Sequence, residues 1–394
     1  MQFVDLSAQQ KRISKQIQDN IKDVLNHGQY IMGPEVRELE KRLSHYVQVK
    51  HAIACSSGTD ALLLALMAYG VGPGDVVFTT PFTFIATAEV IRLLGALPVF
   101  VDIDSKTFNM DPHHLKKAIN AVKNNDSSLY PLPKVLTAAN LLHEFVAKGI
   151  IPVDLFGLPA DYQSINAIAF ENGLFVIEDA AQSFGAEYYG KKACSLTDMA
   201  CTSFYPAKPL GCYGDGGMCF TDDDEKAHLL RSVLNHGQGT DKYDNIRIGI
   251  NGRLDTLQAA VLLAKFDIFP EELEHRNRVA QRYSTSLNPH LSITYPFVPD
   301  GIKSVWAQYS LLAEDEAHRL RLQADLNQED IPSVIYYPKP LHLQGAFSSL
   351  GYQVGDFPIS ERCSKRIFSL PMYPYLTEKD QDKIIAVINE SAHG

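Results

Sequence analysis

A lysine and a carboxylate, each at the end of an apolar segment, are the residues of this chain best suited to chemistry. Lys208 lies in Ser-Phe-Tyr-Pro-Ala-Lys-Pro-Leu-Gly, and Asp179 ends the run Val-Ile-Glu-Asp. A lysine amine can form a Schiff base with an aldehyde, and an acid can keep a pyridine nitrogen protonated so that the ring accepts electrons. Alone, each residue would be interpreted as a surface lysine or a helix cap. Together they predict a pyridoxal phosphate (PLP) site.

A phosphate site is predicted where small residues join a strand to a helix. Gly58 and Thr59 begin the helix in Ser-Ser-Gly-Thr-Asp-Ala-Leu. Free backbone N–H groups and the helix dipole attract anions there, and the Thr59 hydroxyl adds a donor. A helix cap without a ligand is the alternative interpretation. Ser203 offers a second hydroxyl for the phosphate, and Phe84 offers a ring that stacks on the pyridine or packs in the core.

Strand and helix patterns alternate from about residue 50 to about residue 225, which indicates a mostly parallel sheet covered by helices. Active sites of such sheets lie at the carboxyl ends of the strands, where Gly58, Asp179 and Lys208 fall. We therefore predict an α/β fold with a large domain over residues 1–255, including an N-terminal helix.

The pattern changes after residue 255. Two apolar-rich helices, over 254–269 and 271–287, are predicted on either side of Pro270, which kinks or ends the first. They introduce a smaller α+β domain over 256–394. Within the large domain, we expect a surface loop over 124–132 and an additional short helix over 135–147.

Composition limits the possible partners. The formal net charge is −10, whereas a nucleic-acid surface needs a basic face. The apolar runs are too short to span a membrane, and the N-terminus lacks the pattern of a signal peptide. Six scattered cysteines without a CxxC pair indicate reduced, buried thiols and no zinc site. We expect a cytoplasmic protein without nucleic-acid, membrane or metal partners.

Several ordered motifs resemble those of the DegT/DnrJ/EryC1/StrS family, the PLP-dependent sugar aminotransferases of aminotransferase fold type I. The likeness covers nearly the whole chain. Besides the lysine segment, its motifs lie at residues 27–34, 57–61, 154–157, 178–182, 235–237, 251–255 and 337–342. The resemblance implies a large PLP domain, a smaller C-terminal α+β domain and aminotransferase activity on a nucleotide sugar.

The resemblance also implies roles for individual residues. Lys208 is the catalytic lysine. Some relatives have His at this position and are sugar dehydratases, so the lysine favours transamination over dehydration. The implied cofactor-binding residues are Gly58, Thr59, Phe84, Asp179, Gln182, Ser203, Lys208 and Asn251. In the family this Asn reaches the phosphate of the neighbouring subunit, which implies a homodimer with shared active sites. Gly252 stands where the family often has Ser.

The lysine segment looks most like the subgroup that aminates C3 of UDP-2-acetamido-2-deoxy-3-oxo-glucuronate for bacterial O-antigen sugars of lipopolysaccharide. This likeness implies glutamate as the donor and pyridoxamine phosphate as the intermediate form of the cofactor. The substrate-binding candidates are Tyr30, Arg253, Tyr336 and Tyr337. Arg253 would pair with the sugar carboxylate from the partner subunit, with an intersubunit salt bridge as the alternative.

Two other functions stay open. One is an aminotransferase for a dTDP- or GDP-linked 3- or 4-keto-6-deoxy sugar, because Tyr336 stands where the uronate subgroup often has His. The other is a regulatory protein that binds PLP without turnover. An intact set of Lys208, Asp179 and Gln182 argues against the regulatory protein.

Overall fold

A seven-stranded sheet forms the centre of the computed structural model, which describes residues 1–137, 145–241, 243–289 and 292–391. The strands are β1 (His51–Cys55), β2 (Asp75–Thr79), β3 (Leu97–Phe100), β4 (Val146–Ile151), β5 (Phe175–Asp179), β6 (Glu187–Tyr188), β7 (Lys191–Lys192), β8 (Met199–Ser203), β9 (Gly217–Thr221), β10 (Ile293–Thr294), β11 (Ile302–Lys303), β12 (Tyr309–Ala313) and β13 (Ile367–Leu370). The central order is β1-β9-β8-β5-β4-β2-β3, and β9 runs antiparallel to both of its neighbours. The other pairs are parallel, which confirms the predicted sheet.

The helices of the described residues cover both faces of this sheet, apart from the last three, which pack around strands β12 and β13 in the C-terminal part of the chain. The helices are α1 (Ser7–His27), α2 (Pro34–Val47), α3 (Gly58–Ala68), α4 (Ala86–Leu93), α5 (Pro112–Asn124), α6 (Tyr162–Asn172), α7 (Asp224–Val233), α8 (Thr256–Ser286), α9 (Glu316–Gln328), α10 (Pro358–Arg366) and α11 (Glu378–Ser391). Alternate side chains of β1 serve the two faces: Ile53 and Cys55 pack with α3 and α7, whereas Ala52 and Ala54 pack with α2 and α8. No helix in these described ranges is long and apolar enough to cross a membrane.

Helix α8 extends from the central sheet into the C-terminal part of the chain. Leu262 and Phe269 pack beside α2, while Tyr283 packs against the antiparallel sheet β10-β12-β13. The helix continues through Pro270, so the predicted pair of separate helices is wrong. A proline inside a helix costs roughly 3 kcal/mol. Because α1 and α2 both pack along α8, burial of their apolar faces outweighs that cost.

The segment between α5 and β4 differs from its prediction. Asn125 to Leu132 is a loop, but Tyr130 and Leu132 are buried rather than at the surface. The short helix predicted over 135–147 is wrong at its far end. Lys134–Thr137 is a 3-10 turn, and Val146 already belongs to β4 because it pairs with Asp75 of β2. Residues 138–144 lie outside the described residues.

Candidate active site

The predicted acid and lysine lie on neighbouring strands. Strands β5 and β8 are parallel, with Asp179 opposite Cys201, so their carboxyl ends open on the same edge of the sheet. Lys208 follows β8 in a turn closed by its own N–H and the Tyr205 carbonyl at 2.8 Å. The structure therefore brings Asp179 and Lys208 to one site.

Burial shifts both groups toward their neutral forms. It raises the pKa of Asp179, although hydrogen bonds from the Thr87 hydroxyl at 2.8 Å and the Ala181 N–H at 3.2 Å act in the opposite direction. Burial lowers the pKa of Lys208, and the charge of Asp179 opposes that shift. A lysine with a lowered pKa supplies more of the neutral amine that attacks an aldehyde or accepts a proton.

Gln182 and Tyr337 are joined beside Asp179. The Gln182 amide donates to the Tyr337 hydroxyl at 3.2 Å, and its carbonyl accepts the Phe156 N–H at 2.8 Å. Burial raises the pKa of Tyr337, so its hydroxyl stays a neutral donor and acceptor. Tyr336 is half-buried, with its ring centroid 5.8 Å from that of Tyr337.

The predicted phosphate residues form a cradle at the start of α3. The Ser57 hydroxyl caps the helix by accepting the Asp60 N–H at 3.0 Å, while the first N–H groups, those of Gly58 and Thr59, have no partner within the helix. A Cβ at Gly58 would stand 2.6 Å from Ser203 Cβ. This close approach places a helix N-terminus and the Ser203 hydroxyl side by side, which fits a phosphate group.

Phe84 lies just before α4 and is 55% exposed. Its carbonyl accepts the Thr87 hydroxyl at 3.5 Å, and the same hydroxyl holds Asp179. The exposed ring is thus close to the buried acid. This is the environment expected of a ring that stacks on a flat cofactor rather than one that packs in the core. The acid, the amine, the cradle and this ring together fit PLP.

The structure places Tyr30, Asn251 and Arg253 in a second group. The Tyr30 carbonyl accepts the Thr256 N–H at 3.0 Å, and the side chains of Tyr30 and Asn251 are exposed. A terminal nitrogen of Arg253 donates to the side-chain oxygen of Asn235, and its buried Nε has no hydrogen-bond partner among the residues that the structure describes. The backbone N–H of Ser56 links this group to the phosphate segment by donating to the Gly252 carbonyl at 2.9 Å. The roles predicted for these three residues stay predictions.

Three residues of the site were missed by the sequence reasoning. Thr87 holds Asp179, and the carboxyls of Asp154 and Glu178 are fully buried next to it. Asp154 belongs to the Asp-Leu-Phe-Gly motif, and Glu178 immediately precedes Asp179 inside an apolar strand. An acid within an apolar strand was the available signal for Glu178.

Comparison with known proteins identifies the family. Its profile matches residues 11–389. The chain belongs to the DegT/DnrJ/EryC1/StrS aminotransferase family. UDP-2-acetamido-2-deoxy-3-oxo-D-glucuronate aminotransferase from Pseudomonas aeruginosa is 47% identical over 376 residues, which are 95% of this chain and 96% of that protein. A pleiotropic regulatory protein from Geobacillus stearothermophilus is 41% identical, over 98% of this chain and 97% of that protein.

Solved structures agree with the family. A DegT/DnrJ/EryC1/StrS aminotransferase from Brucella abortus superposes with a TM-score of 0.92 at 50% identity, covering 100% of both chains. NtdA from Bacillus subtilis, solved with bound cofactor PMP, has a TM-score of 0.85 at 28% identity over 97% of this chain and 82% of that one. The predicted family, the aminotransferase fold type I and the aminotransferase activity are confirmed, and the predicted cofactor agrees with these relatives.

Proposed function

We propose that this enzyme transfers an amino group from glutamate to C3 of UDP-2-acetamido-2-deoxy-3-oxo-glucuronate, in the synthesis of bacterial O-antigen sugars of lipopolysaccharide. The observation that carries the reaction type is the pairing of buried Asp179 with Lys208, whose pKa is lowered by burial. The sugar is inferred from the similarity to the Pseudomonas aeruginosa aminotransferase. The six cysteines are buried and free of disulfides, as in a protein that works in the reducing cytoplasm.

When bound, PLP supplies the electron-accepting ring that stabilises negative charge at the carbon bearing the amino group. The chain has a group for each requirement of that ring. Asp179 would hold the proton of the ring nitrogen, with Thr87 fixing its carboxylate. Lys208 would remove a proton from the donor carbon that bears the amino group and, in the second half-reaction, would deliver a proton to the sugar carbon that receives it. The side chain of Gln182, held by Phe156 and Tyr337, would lie beside the ring.

The N–H groups of Gly58 and Thr59 and the hydroxyl of Ser203 would hold the phosphate. Phe84 would cover one face of the ring, since its side chain is 55% exposed and can stack on a flat ligand. We further infer that Asn251 completes the phosphate site of a second copy of this chain. Its side chain is exposed, and Ile248 and Ile246 of the same segment are 88% and 55% exposed, as expected of apolar side chains that a partner covers.

Substrate recognition is assigned to Tyr30, Arg253, Tyr336 and Tyr337. The guanidinium of Arg253 uses one terminal nitrogen on Asn235. Its other terminal nitrogen is available for the sugar carboxylate. Tyr30 is 48% exposed on the segment that pairs with residues 255 and 256, so it lies on the same surface as Arg253. Tyr336 and Tyr337, which lie beside Gln182, would line the sugar pocket.

The experiment that tests this function is the visible absorption of the purified protein during stepwise addition of substrates. L-glutamate should remove the band of lysine-bound PLP, and the 3-keto UDP-uronate should restore it. Failure of the sugar to restore the band would leave an aminotransferase with another substrate, for which dTDP- and GDP-linked keto-6-deoxy sugars are the next additions. A band unchanged by glutamate and by glutamine would favour a regulatory protein, the class named for the Geobacillus stearothermophilus relative.

A further inference from the structure

The Asn-His-Gly motif at residues 235–237 has no role in the proposed function. Its first residue, Asn235, lies against the arginine that the proposed function assigns to the substrate. The side-chain oxygen of Asn235 accepts a hydrogen bond from a terminal nitrogen of Arg253. The backbones lie side by side as well, because residues 235 and 251 pair in an antiparallel bridge. The motif is therefore positioned to act on Arg253.

The hydrogen bonds of the Asn235 amide fix its orientation. A guanidinium can only donate, so the atom of Asn235 that faces Arg253 must be the oxygen. The Asn235 nitrogen then donates to the side-chain oxygen of Gln238. Since Gln238 accepts there, its own nitrogen is the atom that donates to the Asp241 carbonyl, at 3.4 Å. This chain of amides, anchored on the backbone, holds one terminal nitrogen of the guanidinium in place.

The group that holds Arg253 carries no charge. An amide oxygen orients a guanidinium without cancelling its positive charge, whereas a carboxylate does both. Arg231 has the second arrangement, because its two terminal nitrogens contact the carboxylate of Glu40 at 3.3 and 3.0 Å. Among the described residues, the side-chain hydrogen bond of Arg253 ends on neutral Asn235. The charge of Arg253 thus stays available for an anion.

A second arginine of the same segment is held in the same way. Arg247 donates to the Ser232 hydroxyl at 2.6 Å, and that hydroxyl donates to the Gln238 carbonyl at 2.6 Å. Ser232 is buried, so a fixed neutral group holds this cation as well. Two arginines held by neutral groups, in a chain whose net charge is −10, indicate a local site for an anion rather than structural ion pairs.

We propose that Asn235, fixed by Gln238, is a positioning residue that presents the charged guanidinium of Arg253 to a carboxylate of a substrate. The identity of the substrates rests on the proposed function. Both of them carry a carboxylate, the sugar at C6 and glutamate at its two ends. The chemistry that Arg253 recognises is the same in either case, and experiment separates the two sources.

Binding of two stable nucleotide sugars to the PLP-loaded, full-length protein tests the sugar source. UDP-glucuronate and UDP-glucose differ only at C6, a carboxylate in the first and an alcohol in the second. By calorimetry, the wild type should bind UDP-glucuronate at least about tenfold more tightly, the scale of a charged hydrogen bond. Asn235→Asp has nearly the same shape but neutralises Arg253 and repels the ligand, so the preference should fall below about twofold. Asn120→Asp, at an exposed asparagine of α5, adds the same charge and should keep the wild-type preference.

L-glutamate tests the amino-acid source. If Arg253 binds glutamate, Asn235→Asp should raise at least about tenfold the glutamate concentration that gives the half-maximal rate of loss of the lysine-bound PLP band. For the substrate that Arg253 does bind, Asn235→Ala should weaken binding only about threefold, because alanine removes the orientation and leaves the charge. A purely structural residue would give equal losses for alanine and aspartate.

These measurements separate the positioning role from the proposed function. A wild type without preference for UDP-glucuronate, together with a glutamate effect in Asn235→Asp, would overturn the uronate substrate and retain the positioning role. An Asn235→Asp variant that changes neither the sugar preference nor the glutamate constant would overturn the positioning role, as would equal losses for alanine and aspartate. Should Asn235→Asp fail to bind PLP, unchanged values in Asn235→Ala would overturn it equally.

Discussion

Burial lowers the pKa of Lys208 and raises that of Asp179, and the lowered lysine pKa supplies the neutral amine that must react. Lys208 and Asp179 lie at the ends of neighbouring strands, so each reduces the shift of the other. Lys208→Ala removes the only proposed proton carrier. We expect turnover to fall at least about 1,000-fold, the scale of losing a positioned base and nucleophile.

The measurement for Lys208→Ala is conversion of glutamate to 2-oxoglutarate. Lys191→Ala is the matched control, because Lys191 is an exposed lysine on the short strand β7. The control should keep wild-type turnover. More than about 1% residual turnover in Lys208→Ala would contradict the assignment of this residue as the catalytic base.

Substitution of Arg253 distinguishes a uronate substrate from a neutral sugar. Lysine keeps the charge but loses the guanidinium, which can contact Asn235 with one nitrogen and a carboxylate with another. We expect Arg253→Lys to reduce kcat/KM for the 3-keto UDP-uronate about 10- to 100-fold, the size of a lost charged hydrogen bond. The same variant should leave unchanged the kcat/KM for the analogue whose C6 carboxylate is an alcohol. Equal losses for both sugars would assign Arg253 to the interface between subunits. The control is Arg321→Lys, because Arg321 is an exposed arginine of α9.

Asp154 makes part of the stability depend on pH. Its pKa is raised by burial to about 7, above the ordinary value of about 3.9. Folding thus favours the protonated form, so this contribution is fully present at low pH and is lost as pH rises through about 7. Denaturant unfolding at several pH values should show Asp154→Asn losing less stability than the wild type between about pH 5 and 8. Parallel stability curves over that range would exclude a proton on Asp154.

At the scale of the elements, local patterns predicted most of the sheet because its strands are short apolar runs separated by turns. Strands and helices alternate between about residues 50 and 225 as predicted, and Asp179 ends its strand as expected. The errors occur where distant contacts outweigh local preference. Packing of α1 and α2 against α8 stabilises that helix through Pro270. Pairing with β2 makes the end of the helix predicted over 135–147 part of strand β4.

The site shows the same division between local and distant information. Lys208, Asp179 and the cradle at Gly58 follow from motifs that each occupy one segment. Thr87 was missed because its bond to Asp179 joins residues 92 positions apart. The position of Asp154, whose N–H donates to the Asp179 carbonyl, likewise depends on how β4 and β5 are aligned, which no single segment of sequence specifies.

The junction of α3 with β8 requires glycine at position 58. An added Cβ would stand 2.6 Å from Ser203 Cβ, so Gly58→Ala must push the helix N-terminus away from the Ser203 hydroxyl. We expect the dissociation constant of PLP to rise at least about tenfold, since phosphate contacts are charge-assisted hydrogen bonds. Gly72→Ala is the control, because a Cβ there meets nothing within 4 Å. Unchanged affinity for PLP in Gly58→Ala would show that the start of α3 and the Ser203 hydroxyl do not bind the phosphate.

At the scale of the whole molecule, the proposed sharing of sites between two copies depends on Asn251. The backbone beside it pairs with Ser56 of the same chain, yet its side chain is exposed next to the apolar side chains of Ile246 and Ile248. A twofold dimer would place the Asn251 of one copy at the phosphate of the other. The alternative is that Asn251 acts within its own chain.

Mixing two inactive variants distinguishes these arrangements. In a mixed dimer of Lys208→Ala with Asn251→Ala, one site receives both defects and the other receives none. After the purified variants exchange subunits, activity should return to about a quarter of the wild-type value, because half of the dimers are mixed and each has one intact site. If Asn251 serves its own chain, every site keeps one defect and no activity returns. Lys208→Ala alone, in which every site lacks the lysine, gives the background activity.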